Sequence, residues 1–226
     1  MRYKGILMDA DDTLFDFQAG NRRAVGQLLQ EIGYDHPEGY EQYETINKTC
    51  WAELERGLMT QAQLQTERWA RFFERYHIDA DPEWAGRQGA YYLGMQAVML
   101  PHAEGVVRAI AAEKPVLILT NGITAVQKSR LAHSPIADAA AGIVISQEVG
   151  VSKPRPEIFQ IALDRLGIGP REALMVGDGV TSDVTGANNA GVDVCWYNPR
   201  YAQLPEGVHA EYEIDDIRDL VKFALQ

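Results

Sequence analysis

Short apolar runs recur along the chain, and each ends in polar or small residues. Five of them occupy residues 3–10, 116–122, 143–147, 174–179 and 192–198, each apolar for about four residues before Asp, Asn, Gly or Ser follows. Nearly continuous apolar runs are typical of strands buried on both faces, as in parallel sheets covered by helices. Segments between the runs have apolar residues at helical spacing, for example 157–166. The alternation predicts a doubly wound α/β fold with a parallel sheet and right-handed crossovers.

One long segment does not alternate. Residues 15–99 show helical periodicity without a convincing buried strand, and we predict four helices there, at 22–32, 40–55, 60–76 and 82–99. The predicted organisation is therefore a core formed by residues 1–14 and 100–226, with a helical insert at 15–99. Because the insert begins just after the first strand, we expect it above the carboxyl edge of the sheet, where open α/β sheets bind ligands.

Composition and charge argue against nucleic-acid-binding and membrane proteins. The 226 residues include 32 acidic and 21 basic side chains, for a formal net charge of −11, which argues against nucleic acid as a partner. The N-terminal residues resemble neither a signal peptide nor a membrane span, and no later apolar stretch reaches membrane-spanning length. Cys50 and Cys195 lie far apart and form no metal-ligand pattern. We expect a cytoplasmic protein with no membrane partner.

Acidic residues cluster where two of the predicted strands end. Asp9, Asp11 and Asp12 follow the first apolar run, and Asp178 and Asp183 follow the fourth. A single Asp after a strand is most often a turn or a helix cap. Several carboxylates meeting at one sheet edge are different, because two of them about 4 Å apart repel by about 4 kcal/mol at an effective dielectric near 20. Oxygen ligands without nearby His or Cys favour Mg²⁺ as the compensating cation.

Two other strand ends offer groups that bind phosphate. Thr120, Asn121 and Gly122 supply a hydroxyl, an amide and a permissive backbone at the start of a predicted helix, a position that favours phosphate. Lys153 lies in a loop before the next helix; most loop lysines face solvent, but one beside several carboxylates would hold both a phosphoryl group and the nucleophile. No P-loop and no G-x-S-x-G elbow is present.

These motifs, in this order, resemble the haloacid dehalogenase (HAD) superfamily over essentially the whole chain. The matching blocks are D-x-D-x-T at 9–13, the strand end at Thr120, Lys153-Pro154, and the stretch 177–191 with its Gly-Asp-Gly and later Asp. Any one block is weak evidence, whereas four at successive strand ends are a strong signal. The resemblance implies a HAD-like Rossmannoid core, and residues 15–99 match the position and character of a type I cap.

The resemblance also implies a mechanism. Asp9 would attack phosphorus to form an aspartyl-phosphate, and Asp11 would protonate the leaving oxygen and then activate water. The phosphoryl oxygens would be bound by Thr120, Asn121 and Lys153. The metal site for Mg²⁺ would consist of Asp9, the Asp11 backbone carbonyl and Asp178, with Asp183 supporting the water shell of the ion. Dehalogenases of this superfamily lack the second acid, because a halide needs no proton, so Asp11 argues for a phosphatase.

Within the superfamily the chain resembles the bacterial pyrimidine 5′-nucleotidases, through residues 9–15, 46–51 and 144–151. That branch implies a nucleoside monophosphate as substrate, with Lys48 and Trp51 of the insert as candidate substrate-binding residues. For Lys48 the alternative is a surface lysine, and for Trp51 a place in the core of the insert.

Other functions remain open from the sequence. They are a sugar-phosphate phosphatase, a phosphomutase using the same phospho-Asp9, a phosphonate hydrolase using Lys48 as a Schiff base, and a non-enzymatic receiver-type signalling domain. A receiver domain is much shorter and would have no use for the insert. The sequence leaves open a monomer or a homodimer.

Overall fold

The computed structural model describes residues 2–226, except for the side chains of Glu55 and Gln61. The chain divides into two compact units, one formed by Met1–Phe17 and Ala97–Gln226 and the other by Gln18–Gln96. Within the part of the chain that is described, no helix combines the length and the apolar character needed to span a bilayer.

A six-stranded parallel sheet forms the centre of the first unit. Its strands are β1 (Gly5–Met8), β2 (Val116–Thr120), β3 (Gly142–Ile145), β4 (Ala173–Gly177), β5 (Asp193–Tyr197) and β6 (Tyr212–Ile214). They lie in the order β3-β2-β1-β4-β5-β6, and every neighbouring pair is parallel. The first strand is therefore central, and the chain builds outwards from it first on one side and then on the other. The order changes direction between β1 and β4, which is where a doubly wound sheet opens a crevice at its carboxyl edge.

The second unit is built from four helices. They are α1 (Phe17–Glu31), α2 (Gly39–Glu55), α3 (Gln61–Tyr76) and α4 (Pro82–Gly94). Their shared core is largely aromatic. The ring centroids of Trp69 and Tyr43 are 4.3 Å apart, and the rings of Trp69 and Phe72 are arranged edge to face. Such pairs add to the stabilisation from area burial alone.

Local sequence signals explain where two of these helices begin. The Thr60 hydroxyl accepts the Gln63 backbone N–H at 3.2 Å, while the Gln63 side chain accepts the Thr60 N–H at 2.8 Å. This reciprocal capping box satisfies two backbone donors that the first turn of α3 leaves unpaired. Before α4, the Asp81 carboxylate accepts the Glu83 N–H at 2.9 Å, and Pro82 occupies the first helical position, where a missing N–H costs nothing.

Helices cover both faces of the sheet in the first unit. They are α5 (Ala103–Ala111), α6 (Thr124–Ala132), α7 (Ser146–Val149), α8 (Pro156–Leu166), α9 (Thr185–Ala190) and α10 (Leu220–Ala224). Alternate residues of β1 enter different cores: Ile6 and Met8 belong to a cluster with side chains of α5 and α10, and Leu7 to one with side chains of α8 and α9. The sheet is thus buried on both faces, as the continuous apolar runs predicted.

The predicted elements differ from the observed ones mainly at their ends. The helix predicted at 22–32 begins at Phe17, because Gly20 and Asn21 are weak helix formers that mask its first turns in the sequence. The helix predicted at 82–99 ends at Gly94. Strand β6 was not predicted, since three residues at a sheet edge carry too little periodicity to be detected.

The packing of α3 against α4 depends on Gly86. A Cβ at this position would lie 2.7 Å from the backbone carbonyl oxygen of Gln65, and backbone cannot move aside as a side chain can. We expect Gly86→Ala to separate the two helices and lower the free energy of unfolding by about 1–3 kcal/mol. Urea unfolding followed by circular dichroism measures the change.

Gly26 in α1 provides a matched control. A Cβ there has no neighbour within 4 Å, so Gly26→Ala is expected to raise the free energy of unfolding by about 0.5–1 kcal/mol. Equal free energies of unfolding for Gly86→Ala and Gly26→Ala would show that α3 and α4 do not approach each other closely at Gly86.

Candidate active site

The carboxyl ends of β1, β2 and β4 bring the predicted motifs together. Asp9 follows β1 directly, and its backbone N–H donates to the Val176 carbonyl of β4 at 2.9 Å, extending the parallel ladder by one residue. Thr120 is the last residue of β2, and Asp178 follows β4. Since β1 lies between the other two strands, the three side chains converge at one edge of the sheet.

Lys153 lies at the centre of the carboxylates. Its ammonium donates to Asp9 Oδ1 at 2.7 Å and to Asp183 Oδ1 at 2.6 Å, and its side chain is only 1% exposed. Burial opposes a charged lysine, but the two carboxylates outweigh it and raise the pKa of Lys153 above its ordinary value. The pKa of Asp9 is also raised, by burial first and by the Asp183 charge next, with Lys153 acting in the opposite direction.

The backbone around Lys153 and Asp183 is held by further hydrogen bonds. The Asn121 side chain clamps Lys153, donating to its carbonyl and accepting from its N–H, both at 2.8 Å. Asp183 lies in a π-helical turn, Val180–Val184, and its second carboxylate oxygen accepts the Gly179 N–H at 2.9 Å. Both residues that flank Asp9 are therefore held in place by hydrogen bonds within the protein.

Asp178 is linked to the first motif through Thr13. The buried Thr13 hydroxyl accepts the Asp178 backbone N–H at 3.1 Å and donates to its carboxylate at 3.3 Å. Burial raises the pKa of Asp178 to about 6, with Asp183 and Asp12 adding repulsion. Arg200, 3.5 Å from Asp12, partly offsets this shift.

The carboxylates of Asp9, Asp178 and Asp183 form a compact group of oxygen donors. One oxygen from each lies within 4.8 Å of the others. Among the described residues, the Lys153 ammonium pairs with two of these three carboxylates, so the group has less positive than negative charge. Hard oxygen donors around such a deficit suit a divalent cation that prefers oxygen, as Mg²⁺ does. The donor set therefore fits the predicted metal.

Asp11 has different partners from Asp9, although only one residue separates them. Its Oδ2 accepts from Gln127 Nε2 at 2.7 Å, and its Oδ1 forms an ion pair with Arg130. Asp11 is 31% exposed, whereas the Arg130 side chain is 1% exposed. Both partners lie on α6, and neither was identified in the sequence, where Gln and Arg on a short helix are typical of a solvated face. Their spacing of three residues, which puts them on one face of the helix, was the available signal.

The remaining phosphate-binding candidates lie where β2 meets α6. The buried Thr120 hydroxyl accepts from Gln127 at 3.3 Å. Gly122 leaves room for the same glutamine, since a Cβ there would overlap the Gln127 side chain. The Asn121 amide is occupied by the Lys153 backbone, so its contribution in this structure is to orient Lys153.

The other two predicted residues belong to the helical unit. Lys48 is 74% exposed, 3.9 Å from Glu44, and Trp51 is half-buried on the same helix, α2. Trp69, by contrast, is a core residue of that unit.

Comparisons with known proteins show which family the chain is similar to. The family model for haloacid dehalogenase-like hydrolases matches residues 3–191. The chain is 32% identical to the pyrimidine 5′-nucleotidase PynA of Streptococcus pneumoniae, over 98% of this chain and 94% of PynA. It is also 32% identical to the pyrimidine 5′-nucleotidase YjjG of Escherichia coli, over 97% of each chain. The crystal structure of YfnB from Bacillus subtilis, bound to magnesium, superposes with a TM-score of 0.90 at 27% identity and covers 99% of both chains.

The raised pKa of Asp178 predicts how stability depends on pH without metal. Because its folded-state pKa of about 6 exceeds the unfolded value of about 3.9, the folded protein binds this proton more tightly. The resulting stabilisation is complete below about pH 4 and is lost as the pH rises through 6. In EDTA at pH 8, Asp178→Asn is expected to be more stable than wild type by about 3 kcal/mol, and near pH 4 the two converge.

Urea unfolding across this pH range measures the effect, with Asp79→Asn, at an exposed carboxyl, as the control. Added Mg²⁺ is expected to stabilise wild type at pH 8 and to have much less effect on Asp178→Asn. Parallel pH profiles for wild type and Asp178→Asn would contradict the assignment.

Proposed function

The chain belongs to the haloacid dehalogenase-like hydrolase family. We propose that it is a phosphatase that works through an aspartyl-phosphate on Asp9. One observation carries the proposal: the two aspartates of the first motif have different surroundings. Asp9 is buried against Lys153 in the group of three carboxylates, and Asp11 is held apart from that group by α6. Two carboxyl groups in unlike environments are the arrangement that a nucleophile and a separate acid–base residue require.

In the first step an Asp9 carboxylate oxygen would attack phosphorus. The bond between phosphorus and the ester oxygen breaks, its electron pair goes to the leaving oxygen, and that oxygen takes a proton from Asp11. Lys153, which is hydrogen-bonded to Asp9, would orient the nucleophile and bind the phosphoryl oxygens. In the second step Asp11 takes a proton from water, whose oxygen attacks the phosphorus, and the acyl–phosphate bond breaks to regenerate Asp9.

The carboxylates of Asp9, Asp178 and Asp183, with the Asp11 backbone carbonyl, would hold Mg²⁺. When bound, the ion supplies positive charge that screens the anionic nucleophile from the anionic phosphate. Burial and mutual repulsion raise the pKa of Asp9, so a cation would also favour the ionised form that attacks.

We infer that the substrates are nucleoside monophosphates, pyrimidine ones above all. Support comes from PynA and YjjG, both pyrimidine 5′-nucleotidases, which this chain matches over nearly its full length. The helical unit would serve as a cap that recognises the nucleoside, with Lys48 and Trp51 as contacts. A phosphonate hydrolase needs a desolvated lysine for its Schiff base, and the 74% exposed Lys48 gives that alternative no support.

The decisive experiment measures phosphate release from nucleoside monophosphates, sugar phosphates and p-nitrophenyl phosphate. We expect release in Mg²⁺ that stops in EDTA and falls by about 10⁴-fold or more in Asp9→Asn, because the carboxamide cannot form the acyl-phosphate. Pyrimidine nucleoside monophosphates are expected to give the highest kcat/KM.

Asp164→Asn, a change at an exposed carboxyl on α8, serves as the matched control and should leave all rates unchanged. Release that persists in Asp9→Asn would exclude the aspartyl-phosphate. A sugar phosphate ranking first would retain the chemistry and reject the nucleotidase assignment.

Lys48→Ala tests the proposed recognition by the cap. Loss of a charge-assisted hydrogen bond to the nucleotide is expected to raise KM by about 10- to 100-fold while kcat changes little. Lys128→Ala, at an exposed lysine paired with Glu148 on the first unit, is the control. Equal KM values for both variants across the nucleotides would remove Lys48 from the substrate site.

A further inference from the structure

We propose that Arg130 and Gln127 are positioning residues that hold the Asp11 carboxyl in the orientation needed for proton transfer to the leaving group. Each of the two carboxylate oxygens has its own partner, Oδ1 the Arg130 guanidinium and Oδ2 the Gln127 amide. With both oxygens engaged, rotation of the side chain is restricted. The proposal rests on the proposed function, in which Asp11 is the acid–base residue. Its two partners, Gln127 and Arg130, lie outside the four sequence blocks typical of the superfamily.

Arg130 is placed in a way that a purely structural role does not explain. Its side chain is 1% exposed, and its guanidinium lies 5.4 Å and 5.9 Å from the ring centroids of Phe15 and Phe17. Its Nε is buried and has no hydrogen-bond partner among the described residues. Burying a cation with incomplete pairing is costly, and apolar residues would fill the space beside two aromatic rings at less cost. The two rings offer the cation a weak cation–π attraction. The group that balances its charge is the Asp11 carboxylate, with which it forms an ion pair.

Gln127 connects Asp11 to the phosphate-binding end of β2. The same Nε2 that donates to Asp11 also lies 3.3 Å from Thr120 Oγ1, so one amide spans the proposed acid–base residue and a proposed phosphoryl ligand. Its Oε1 is buried without a partner among the residues that the structure describes. Because an amide carries both a donor and an acceptor, Gln127 can hold Asp11 with or without its proton, whereas Arg130 offers donors only.

The local fold is arranged around these contacts. Gln127 and Arg130 are three residues apart on α6, which turns both to the buried face together with Val126. Gly122 leaves the Gln127 side chain in this position, because a Cβ at residue 122 would overlap it and force it to move. The helix that follows β2 therefore supplies two groups to Asp11 besides covering the sheet.

Leaving-group dependence separates positioning from a general structural role. A nucleoside leaves as an alkoxide that needs a proton, whereas p-nitrophenolate is stable without one. For uridine 5′-monophosphate we expect Arg130→Met to lower kcat/KM by about 10²- to 10³-fold, and for p-nitrophenyl phosphate by less than about tenfold. Gln127→Met is expected to show the same selectivity with a smaller loss, and Arg130→Lys to recover part of the loss.

A double substitution gives a second readout. If Arg130 acts through Asp11, then Arg130→Met should have little further effect on uridine 5′-monophosphate turnover once Asp11 is replaced by Asn. Arg108→Met, at a half-exposed arginine paired with Asp138, is the control and should leave both substrates unaffected. If Arg130→Met fails to fold, Gln127→Met and Arg130→Lys carry the same comparison.

The outcomes distinguish this inference from the proposed function. An equal loss for both esters in the Arg130 and Gln127 variants, or a full additional loss in the Asp11→Asn background, would show that the two residues only support the fold. Wild-type protein that releases phosphate from neither ester would overturn the proposed function, and this inference with it. Selective loss for the nucleotide establishes the positioning role.

Discussion

Electrostatic repulsion among buried carboxylates is the constraint around which the site is organised. One oxygen from each of Asp9, Asp178 and Asp183 lies within 4.8 Å of the others, where each pair of charges repels by roughly 3–4 kcal/mol at an effective dielectric near 20. The buried Lys153 ammonium offsets part of that repulsion, and it can do so only while it stays within ion-pair distance of both Asp9 and Asp183. The hydrogen bonds from Asn121 to the Lys153 backbone and the π-helical turn around Asp183 therefore help to keep these charges in place.

The same repulsion explains why Asp11 has other partners than Asp9 and does not join the group of three carboxylates. A fourth carboxylate in the group would add repulsion that Lys153 could not offset. Instead, the backbone turns sharply after β1, with Asp12 in the left-handed region at φ 57° and its N–H donating to the Phe15 carbonyl at 2.8 Å. This turn presents Asp11 to α6, where Arg130 supplies a separate positive charge. Two positive groups and a tight turn thus keep two neighbouring aspartates in distinct environments.

Much of this arrangement could be predicted because its signals are local in the sequence. A buried parallel strand is a continuous apolar run, and the polar residue that ends it must lie at the carboxyl edge, so Asp9, Thr120 and Asp178 could be placed from pattern alone. The burial of Arg130 and Gln127 is different, since it depends on contacts with residues distant in sequence, such as Asp11 and Phe15. The helical spacing shows that these two residues share a face of α6. Whether that face is buried depends on the tertiary packing, which the sequence of the helix does not contain. Strand β6 escaped detection for the opposite reason, because its three residues are too few to form a pattern.

The two units of the chain separate the residues proposed for catalysis from those proposed for substrate recognition. Every residue proposed for phosphoryl and proton transfer, together with the positioning pair on α6, lies in Met1–Phe17 or Ala97–Gln226. Lys48 and Trp51, proposed for nucleoside recognition, lie in Gln18–Gln96, whose aromatic core around Trp69 is separate from the two cores that flank the sheet. If the helical unit recognises the nucleoside as proposed, substitutions on its surface would change which ester is preferred without disturbing the balance of charge at the sheet edge. Substitutions at that edge lack this freedom, because Asp9, Lys153 and Asp183 each depend on the charge of the others.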